Sequence, residues 1–189
     1  CTNTFGKFRS SYQVLLERSA PLAALPRRNV IHFGSPEYSN NITALLEKTP
    51  FTLRFDAGSR SFAVVARDGE DSRQQVYLPK FSVGRGMVEL YGLITVMPSA
   101  NSPEGKFRTV VFSGTNSVGS QAAAEFFSSP PHLQKLRERF AELRQTGFPP
   151  AYQVVVRCHS DNYQLVSYEF EALRVFQPSS AGGAPPRRP

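Results

Sequence analysis

The pattern of hydrophobic and polar positions divides the chain into short strands and a few helices. Alternating or continuous apolar residues predict strands at 30–33, 51–55, 61–66, 76–78 and 87–97. Both faces of segment 87–97 are apolar through Tyr91–Ile94, which is typical of a central strand that is covered on both sides. A turn at Ala57-Gly58 separates strands 51–55 and 61–66, so this pair is predicted to form a β-hairpin.

Two segments show the apolar spacing of three to four residues that is typical of an amphipathic helix. The first is predicted to have Asn40 as its N-cap and to end before Pro50. The second has proline at its first helical position, Pro130, and ends before Gly147. The apolar stripe of this second helix consists of Leu133, Leu136, Phe140 and Leu143. Charged residues cover its opposite face, which predicts a surface helix packed against the core.

The order of these elements predicts the fold class. Two strand–loop–helix units occupy residues 29–46 and 109–127, and strands 152–158 and 163–176 are joined by a turn at 159–162. We therefore expect an α/β fold with a mixed, largely buried sheet, two strand–loop–helix units and a C-terminal β-hairpin. In such folds ligands usually bind where strands are followed by helices, which locates a candidate site.

Composition divides the chain into three parts. Residues 1–28 are poorly specified, since Tyr12, Val14, Leu15 and Leu16 are compatible with a short helix or a strand. Residues 29–177 are predicted to form a single α/β domain, because a chain of 189 residues is short for two domains. Residues 178–189 are rich in proline, glycine, serine and arginine, and they are predicted to be a disordered tail.

The net charge of +7 suggests a nucleic-acid-binding protein until its distribution is considered. Residues 1–29 carry +4 and the tail adds +2, whereas residues 30–177 have 15 basic and 14 acidic residues. A folded nucleic-acid-binding module carries its positive charge on the folded surface. We therefore expect no nucleic-acid binding through the folded domain.

The two cysteines, Cys1 and Cys158, have neither the spacing of metal ligands nor that of a disulfide framework. Because the chain begins with Cys1 instead of Met, we interpret it as a fragment; a mature lipoprotein is the alternative. No apolar run approaches the roughly 18 residues of a transmembrane helix, so no membrane span is predicted. The sequence leaves open the cellular compartment, and with it whether the chain is part of a membrane-anchored protein.

The loop of the second unit contains five candidate ligand-binding residues: Gly114, Thr115, Ser117, Gly119 and Ser120. Backbone amides at a helix start, together with these hydroxyl groups, are suited to an anion or a neutral polar ligand. The alternative interpretation is a tight turn, in which glycine permits positive φ and Ser or Thr caps the helix. The sequence does not decide between the two.

Two nucleotide-binding motifs can be excluded for this loop. The separation of Gly114 and Gly119 matches a P-loop, but Ser120 and Gln121 stand where lysine and then Ser or Thr are required. Without that lysine the β- and γ-phosphates lose their main charge partner, so ATP or GTP hydrolysis is excluded. The G-x-G-x-x-G fingerprint of dinucleotide-binding folds is absent as well, and no cofactor is predicted.

The loop of the first unit adds Gly34, Ser35 and Asn40 as candidate ligand-binding residues. If strand 30–33 lies next to the strand that ends at Gly114, the two loops open at the same edge of the sheet. They would then line one cleft.

A serine hydrolase that uses Ser117 as its nucleophile is an alternative, since this residue follows a strand and begins a helix. Thr115, however, replaces the glycine that such a sharp turn requires. The histidine partner would have to be His159 or His132. Asp161 follows His159, which is not the order Ser, acid, His of this class. Ser117 is therefore only a weak catalytic candidate.

Metal binding has little support in the sequence. The three histidines, His32, His132 and His159, are scattered without metal-ligand spacing, and His32 is interpreted as a packing residue within an apolar strand. The acidic residues show no paired-carboxylate pattern. No metal site is predicted.

Two motifs resemble those of an uncharacterised bacterial protein family. The first is Asn29-Val-Ile-His-Phe-Gly-Ser-Pro followed by Asn40, and the second extends from Gly114-Thr through Gly119-Ser-Gln-Ala-Ala-Ala-Glu-Phe126. The family carries G-S-P-x-x-N and G-T-x-x-x-G-T-Q-A-A-x-E-F in this order. Ser120 stands where the family commonly has threonine, so the hydroxyl group is retained. The resemblance covers residues 29–177.

Family members are sometimes joined to a winged-helix module or a membrane helix. The resemblance therefore implies that the chain is the C-terminal half of a longer protein with a sensory or ligand-binding role, and it implies no reaction. We expect a non-catalytic ligand-sensing or interaction domain of a larger bacterial protein, with a polar or anionic small molecule as its ligand. A structural scaffold without a small-molecule site is a further alternative. The sequence leaves the ligand and the oligomeric state open.

Overall fold

The computed structural model of the chain describes residues 28–67, 75–81, 87–99 and 106–177. Two sequence predictions therefore lie outside the described residues: the one for the N-terminal segment, of which only Arg28 is described, and the one for the tail 178–189.

The described residues form nine strands and three helices. The strands are β1 (Val30–Phe33), β2 (Phe51–Asp56), β3 (Ser61–Ala66), β4 (Val76–Tyr77), β5 (Lys80–Phe81), β6 (Met87–Pro98), β7 (Arg108–Gly114), β8 (Tyr152–Asp161) and β9 (Gln164–Val175). The helices are α1 (Asn40–Leu46), α2 (Ser117–Ser128) and α3 (Pro130–Glu142).

The strands form two sheets. The larger sheet has the order β1-β7-β6-β8-β9, and β5 pairs with β6 beyond the end of β7. Strand β1 is parallel to β7, whereas β6 is antiparallel to β7 and β8, and β8 is antiparallel to β9. Strands β2, β3 and β4 form a three-stranded antiparallel sheet. The predicted mixed α/β fold and its C-terminal β-hairpin are confirmed.

The large sheet is covered on both faces. Helices α2 and α3 cover one face, where Ile94 and Phe112 lie in a core with Phe126 and Phe140. The three-stranded sheet and α1 cover the other face, where Leu93 and Val111 lie in a second core. Leu93 and Ile94 are adjacent in β6, and both are fully buried. Strand β6 is therefore the doubly covered central strand that its sequence predicts.

Two local predictions were wrong by a few residues. The N-cap of α1 is Ser39, whose Oγ accepts a hydrogen bond from the Ile42 amide at 3.0 Å, and Asn40 is the first helical residue. The turn of the C-terminal hairpin is Asn162-Tyr163 instead of 159–162. Both turn residues have positive φ, 47° and 62°, as a type I′ turn requires. The turn is therefore tighter than predicted, and both strands are paired up to it.

One buried polar side chain joins the two sheets. Gln153 in β8 is fully buried, and its Oε1 accepts a hydrogen bond from the Phe51 amide at 2.6 Å. The two hydrogens of its Nε2 are shared among three acceptors, the Phe51 carbonyl oxygen at 2.9 Å, Thr49 Oγ1 at 3.0 Å and Thr95 Oγ1 at 2.8 Å. These bonds hold the start of β2 against β6 and β8.

Candidate functional site

The two strand–loop–helix units meet at one edge of the large sheet. Residues Val30 to Phe33 of β1 pair in parallel with Thr109 to Phe112 of β7. The Gly34 amide continues this pairing by donating to the Phe112 carbonyl oxygen at 3.0 Å. The expectation that the two loops open at the same sheet edge is therefore confirmed.

The chain leaves these two parallel strands on opposite faces of the sheet. Ile42 and Leu46 of α1 pack in the core on the side of the three-stranded sheet. Val118 and Phe126 of α2 pack in the core on the helical side. Adjacent parallel strands whose connections diverge in this way form a topological switch point, where ligands of open α/β sheets bind outside the carboxyl ends of the strands. We refer to this region, lined by residues 34–40 and 115–117, as the switch-point crevice.

Three glycines beside the second loop are in close backbone contact where α2 packs on β6 and β7. A Cβ atom on Gly114 would lie 2.5 Å from both the Gly119 carbonyl carbon and the Ser120 nitrogen. A Cβ atom on Gly92 would collide with the Gly119 carbonyl oxygen. Helix α2 therefore starts directly on the backbone of β6 and β7, and Gly114 and Gly119 are required by packing.

The polar groups of the second loop largely bond within the loop or to the neighbouring strand β6. The Thr115 amide donates to the Tyr91 carbonyl oxygen at 2.8 Å, and Thr115 Oγ1 accepts from the Tyr91 amide at 3.2 Å. Ser120 Oγ donates to the Asn116 carbonyl oxygen at 3.2 Å. The N-cap of α2 is Asn116, whose Oδ1 accepts from the Gly119 amide at 3.0 Å. The cap is therefore an asparagine instead of the Ser or Thr that the sequence predicts.

The eight predicted ligand-binding residues are therefore of two kinds. Gly114, Thr115, Gly119 and Ser120 are buried where α2 begins against β6 and β7. The other four lie closer to the surface: Gly34 and Ser35 are half-buried, and Asn40 and Ser117 are exposed.

The groups at the start of α2 are suited to a ligand that accepts hydrogen bonds, whereas the loop of the first unit contains one exposed carboxylate, Glu37. The first turn of α2 contains no acidic residue. Its amides point out of the helix end, and the helix macrodipole places partial positive charge there. The hydroxyl groups of Ser35 and Ser117 add polar groups at the same edge.

The histidines named as partners of a nucleophilic Ser117 bond elsewhere. His132 Nδ1 lies 2.8 Å from Ser129 Oγ, and the imidazole packs between the rings of Phe126 and Tyr168. Burial and, secondarily, the charge of Lys135 lower the pKa of His132. His159 Nδ1 lies 3.4 Å from Ser167 Oγ, and its Nε2 lies 3.8 Å from Glu89 Oε2. Neither imidazole has Ser117 as its hydrogen-bond partner.

A polar cluster that sequence analysis did not identify lies on the large sheet beside the three-stranded sheet. Glu89 accepts a hydrogen bond from the Tyr91 hydroxyl at 2.7 Å and forms an ion pair with Lys80 at 2.8 Å. Arg157 on the neighbouring strand pairs with Glu169 at 2.9 Å. Burial alone would raise the pKa of Glu89, but the bonds from Lys80 and Tyr91 outweigh it and the pKa is lowered. The signal in the sequence was a glutamate within an otherwise apolar strand.

Removing the hydroxyl group from each of two tyrosines beside this cluster should have different effects on the free energy of unfolding. Tyr77 Oη is buried and has no hydrogen-bond partner among the described residues, whereas Tyr91 Oη donates to Glu89. Tyr77→Phe should leave the free energy of unfolding unchanged or raise it, because an unsatisfied buried hydroxyl is unfavourable. Tyr91→Phe should lower it by about 1.5–3 kcal/mol, because it removes a bond to a charged group. Urea denaturation of both variants measures the difference, and an equal loss in both would contradict it.

In the described ranges no three His, Cys, Asp or Glu side chains are grouped as metal ligands. Of the helices described, none combines the length and the apolar composition that a transmembrane helix requires. Comparisons with protein-family models, curated proteins and solved structures find no match to the chain. The resemblance to a bacterial family therefore stays a prediction, and function has to be inferred from the chain's own geometry.

Proposed function

We propose that the chain is a non-catalytic ligand-sensing or interaction domain of a larger bacterial protein. Its ligand would be a small polar or anionic molecule bound in the switch-point crevice. The observation that carries this proposal is the divergence of α1 and α2 from the adjacent parallel strands β1 and β7. Open α/β sheets bind their ligands outside the carboxyl ends of strands whose connections diverge in this way.

The groups available at the crevice support a ligand that accepts hydrogen bonds. The Gly119 amide is used by the Asn116 side chain and the Ser120 amide by the Asn116 carbonyl oxygen. The amides of Ser117 and Val118 belong to the first two residues of α2. Amides at these positions have no hydrogen-bond acceptor within the helix. Together with Ser117 Oγ they would donate to a phosphate, a carboxylate or a neutral hydroxylated compound.

Binding without chemistry is favoured over hydrolysis because the groups that would activate Ser117 are engaged elsewhere. A serine nucleophile needs a base within hydrogen-bond reach. His132 bonds to Ser129, and His159 lies beside Ser167 and Glu89. A structural scaffold remains the alternative that the binding experiment has to separate from a sensor.

A change of charge at Ser117 tests the proposal. The full chain and Ser117→Glu would be screened by thermal shift against inorganic phosphate, sulfate, carboxylic acids, sugars and mononucleotides. Glutamate at the start of α2 should stabilise the free protein by about 0.3–1 kcal/mol through the helix macrodipole. An anionic ligand at 100 times its Kd should raise the Tm of the unmodified chain by about 5–10 °C. In Ser117→Glu this ligand-induced shift should be lost.

The matched control is Gln134→Glu, which places the same charge on the exposed face of α3. It should retain the full ligand-induced shift. A shift that survives in Ser117→Glu would place the ligand elsewhere. No shift with any compound of the panel would favour the scaffold.

A further inference from the structure

Strand β9 forms one edge of the large sheet. Among the residues that the structure describes, it pairs with β8 alone. It has 12 residues, about twice the usual length of a strand. Neither lysine nor proline, two residues that commonly prevent an edge strand from pairing with another chain, occurs in it. The edge therefore offers a long row of backbone groups to a further strand.

The side chains of β9 divide between the two faces of the large sheet. Tyr168, Phe170 and Leu173 pack against the core on the helical side. Glu169 and Arg174 alternate with them along the strand and point to the opposite face. Both charged side chains are exposed. A strand that pairs with β9 thus has to present apolar side chains on one face and a complementary pattern of charge on the other.

We propose that the edge strand β9 is the docking surface for β9 of a second copy of this chain, in a symmetric dimer that joins the two large sheets. An antiparallel register around a two-fold axis places Phe170 opposite Leu173 of the second copy and Tyr168 opposite Val175. Each of these pairs occurs twice, as in any two-fold interface. Paired side chains share a face throughout residues 168–175. A shift by one residue would place Phe170 opposite a residue of the other face.

The irregularity within β9 is compatible with this register. Val155 of β8 pairs with Ala172 and Val156 pairs with Phe170, so Glu171 is the extra residue of a β-bulge. The two-fold axis passes between Glu171 and Ala172, so the bulges of the two copies lie opposite each other. The pairs on either side of the axis therefore keep the same spacing in both strands.

The charges of β9 are complementary to themselves in this register. Glu169 lies opposite Arg174 of the second copy, which gives two ion pairs in the dimer. Arg157 of the same chain contacts Oε1 of Glu169 at 2.9 Å, and the Glu169 side chain is 57% exposed, so Oε2 can accept from a second guanidinium. The two Glu171 carboxylates near the axis each lie beside their own Arg157 at 3.3 Å, which offsets their repulsion. This self-complementarity favours a second copy over an unrelated strand.

Sedimentation of the full chain tests the dimer. A reductant is present throughout, which excludes a disulfide between Cys1 residues. The measured mass should rise from 21.0 kDa towards twice this value between about 1 and 300 µM protein, because association follows mass action. A mass that stays at that of one chain over the whole range would overturn the proposal.

Charge reversal at the paired positions tests the register. Glu169→Arg and Arg174→Glu each place like charges opposite one another twice, so the Kd of the dimer should rise at least about tenfold in either variant. The variant that carries both changes has opposite charges again, and its Kd should return to within about threefold of the original value. Loss of folding in a single variant could not be repaired in this way.

The matched control is Arg137→Glu, which makes the same change of charge on the exposed face of α3. Its Kd should equal that of the unmodified chain. An equal weakening by Arg137→Glu would assign the effect to net charge and overturn the proposal. A Kd unaffected by the single reversals, or not restored in the variant with both, would overturn it as well, because the dimer would then use another surface or register.

Discussion

Replacing Gly114 with alanine should lower the free energy of unfolding by at least about 3 kcal/mol, at the upper end of what overpacking costs. The added Cβ would lie 2.5 Å from two backbone atoms of α2, the Gly119 carbonyl carbon and the Ser120 nitrogen. Backbone atoms cannot move aside as a side chain can, so α2 would have to shift on β6 and β7. For a chain of this size the loss corresponds to a fall in Tm of about 6–12 °C.

Gly58→Ala is the control for this prediction. A Cβ on Gly58 would lie 3.4 Å from Asp56 Oδ2, the end of a side chain, and the residue is exposed in the β2–β3 turn. Its effect should stay within about 0.5 kcal/mol. Calorimetry of both variants gives the two Tm values. If Gly114→Ala melted within two degrees of the unmodified protein, the close contact between α2 and the sheet would be disproved.

Gln153→Met should lower the free energy of unfolding by about 2–4 kcal/mol. Methionine has nearly the shape of glutamine but none of its hydrogen-bonding groups. The Phe51 amide would lose its bond to Oε1, and the three acceptors around Nε2 would lose the two N–H groups that they share. Because these groups are buried between the two sheets, water cannot replace the lost bonds without opening the structure.

Gln134→Met is the matched control, since the Gln134 amide bonds to Glu138 on the exposed face of α3. It should change the free energy of unfolding by less than about 0.5 kcal/mol. The midpoints of urea denaturation measure both changes. Equal midpoints for Gln153→Met and Gln134→Met would show that Gln153 does not stabilise the packing of the two sheets.

Much of the fold could be predicted because its signals are local. The alternation in β2 and β3, the two apolar faces of β6 and the stripe of α3 each lie within a dozen residues. Their packing could not be predicted, because it depends on which strands pair. Glu89 lies opposite His159, a contact set by the pairing of β6 with β8 that no local pattern reports. The two misplaced local features are differences of one or a few residues, where neighbouring polar side chains compete for the same cap or turn.

The candidate site could also be predicted only where its signals are local. The sequence identified the loop after β7 and its glycines, but Gly92, which faces Gly119, lies in another strand and had no motif of its own. Sequence analysis also left open whether the loop was a capped turn or a ligand cradle. Asn116 and Ser120 use polar groups within the turn and Thr115 bonds to Tyr91 of β6, whereas Ser117 is exposed at the start of α2. If the proposal is correct, a ligand therefore has to bind at the exposed surface around Ser117.

The most direct test is an NMR titration of the full chain, a protein of 21.0 kDa, with the compound that gives the largest thermal shift. Backbone amide resonances report binding residue by residue. The proposal predicts that the largest chemical-shift changes lie at residues 34–40 and 115–118, the two loops of the switch-point crevice. Changes centred on Glu89 and Arg157 instead, or spread evenly over the chain, would contradict it.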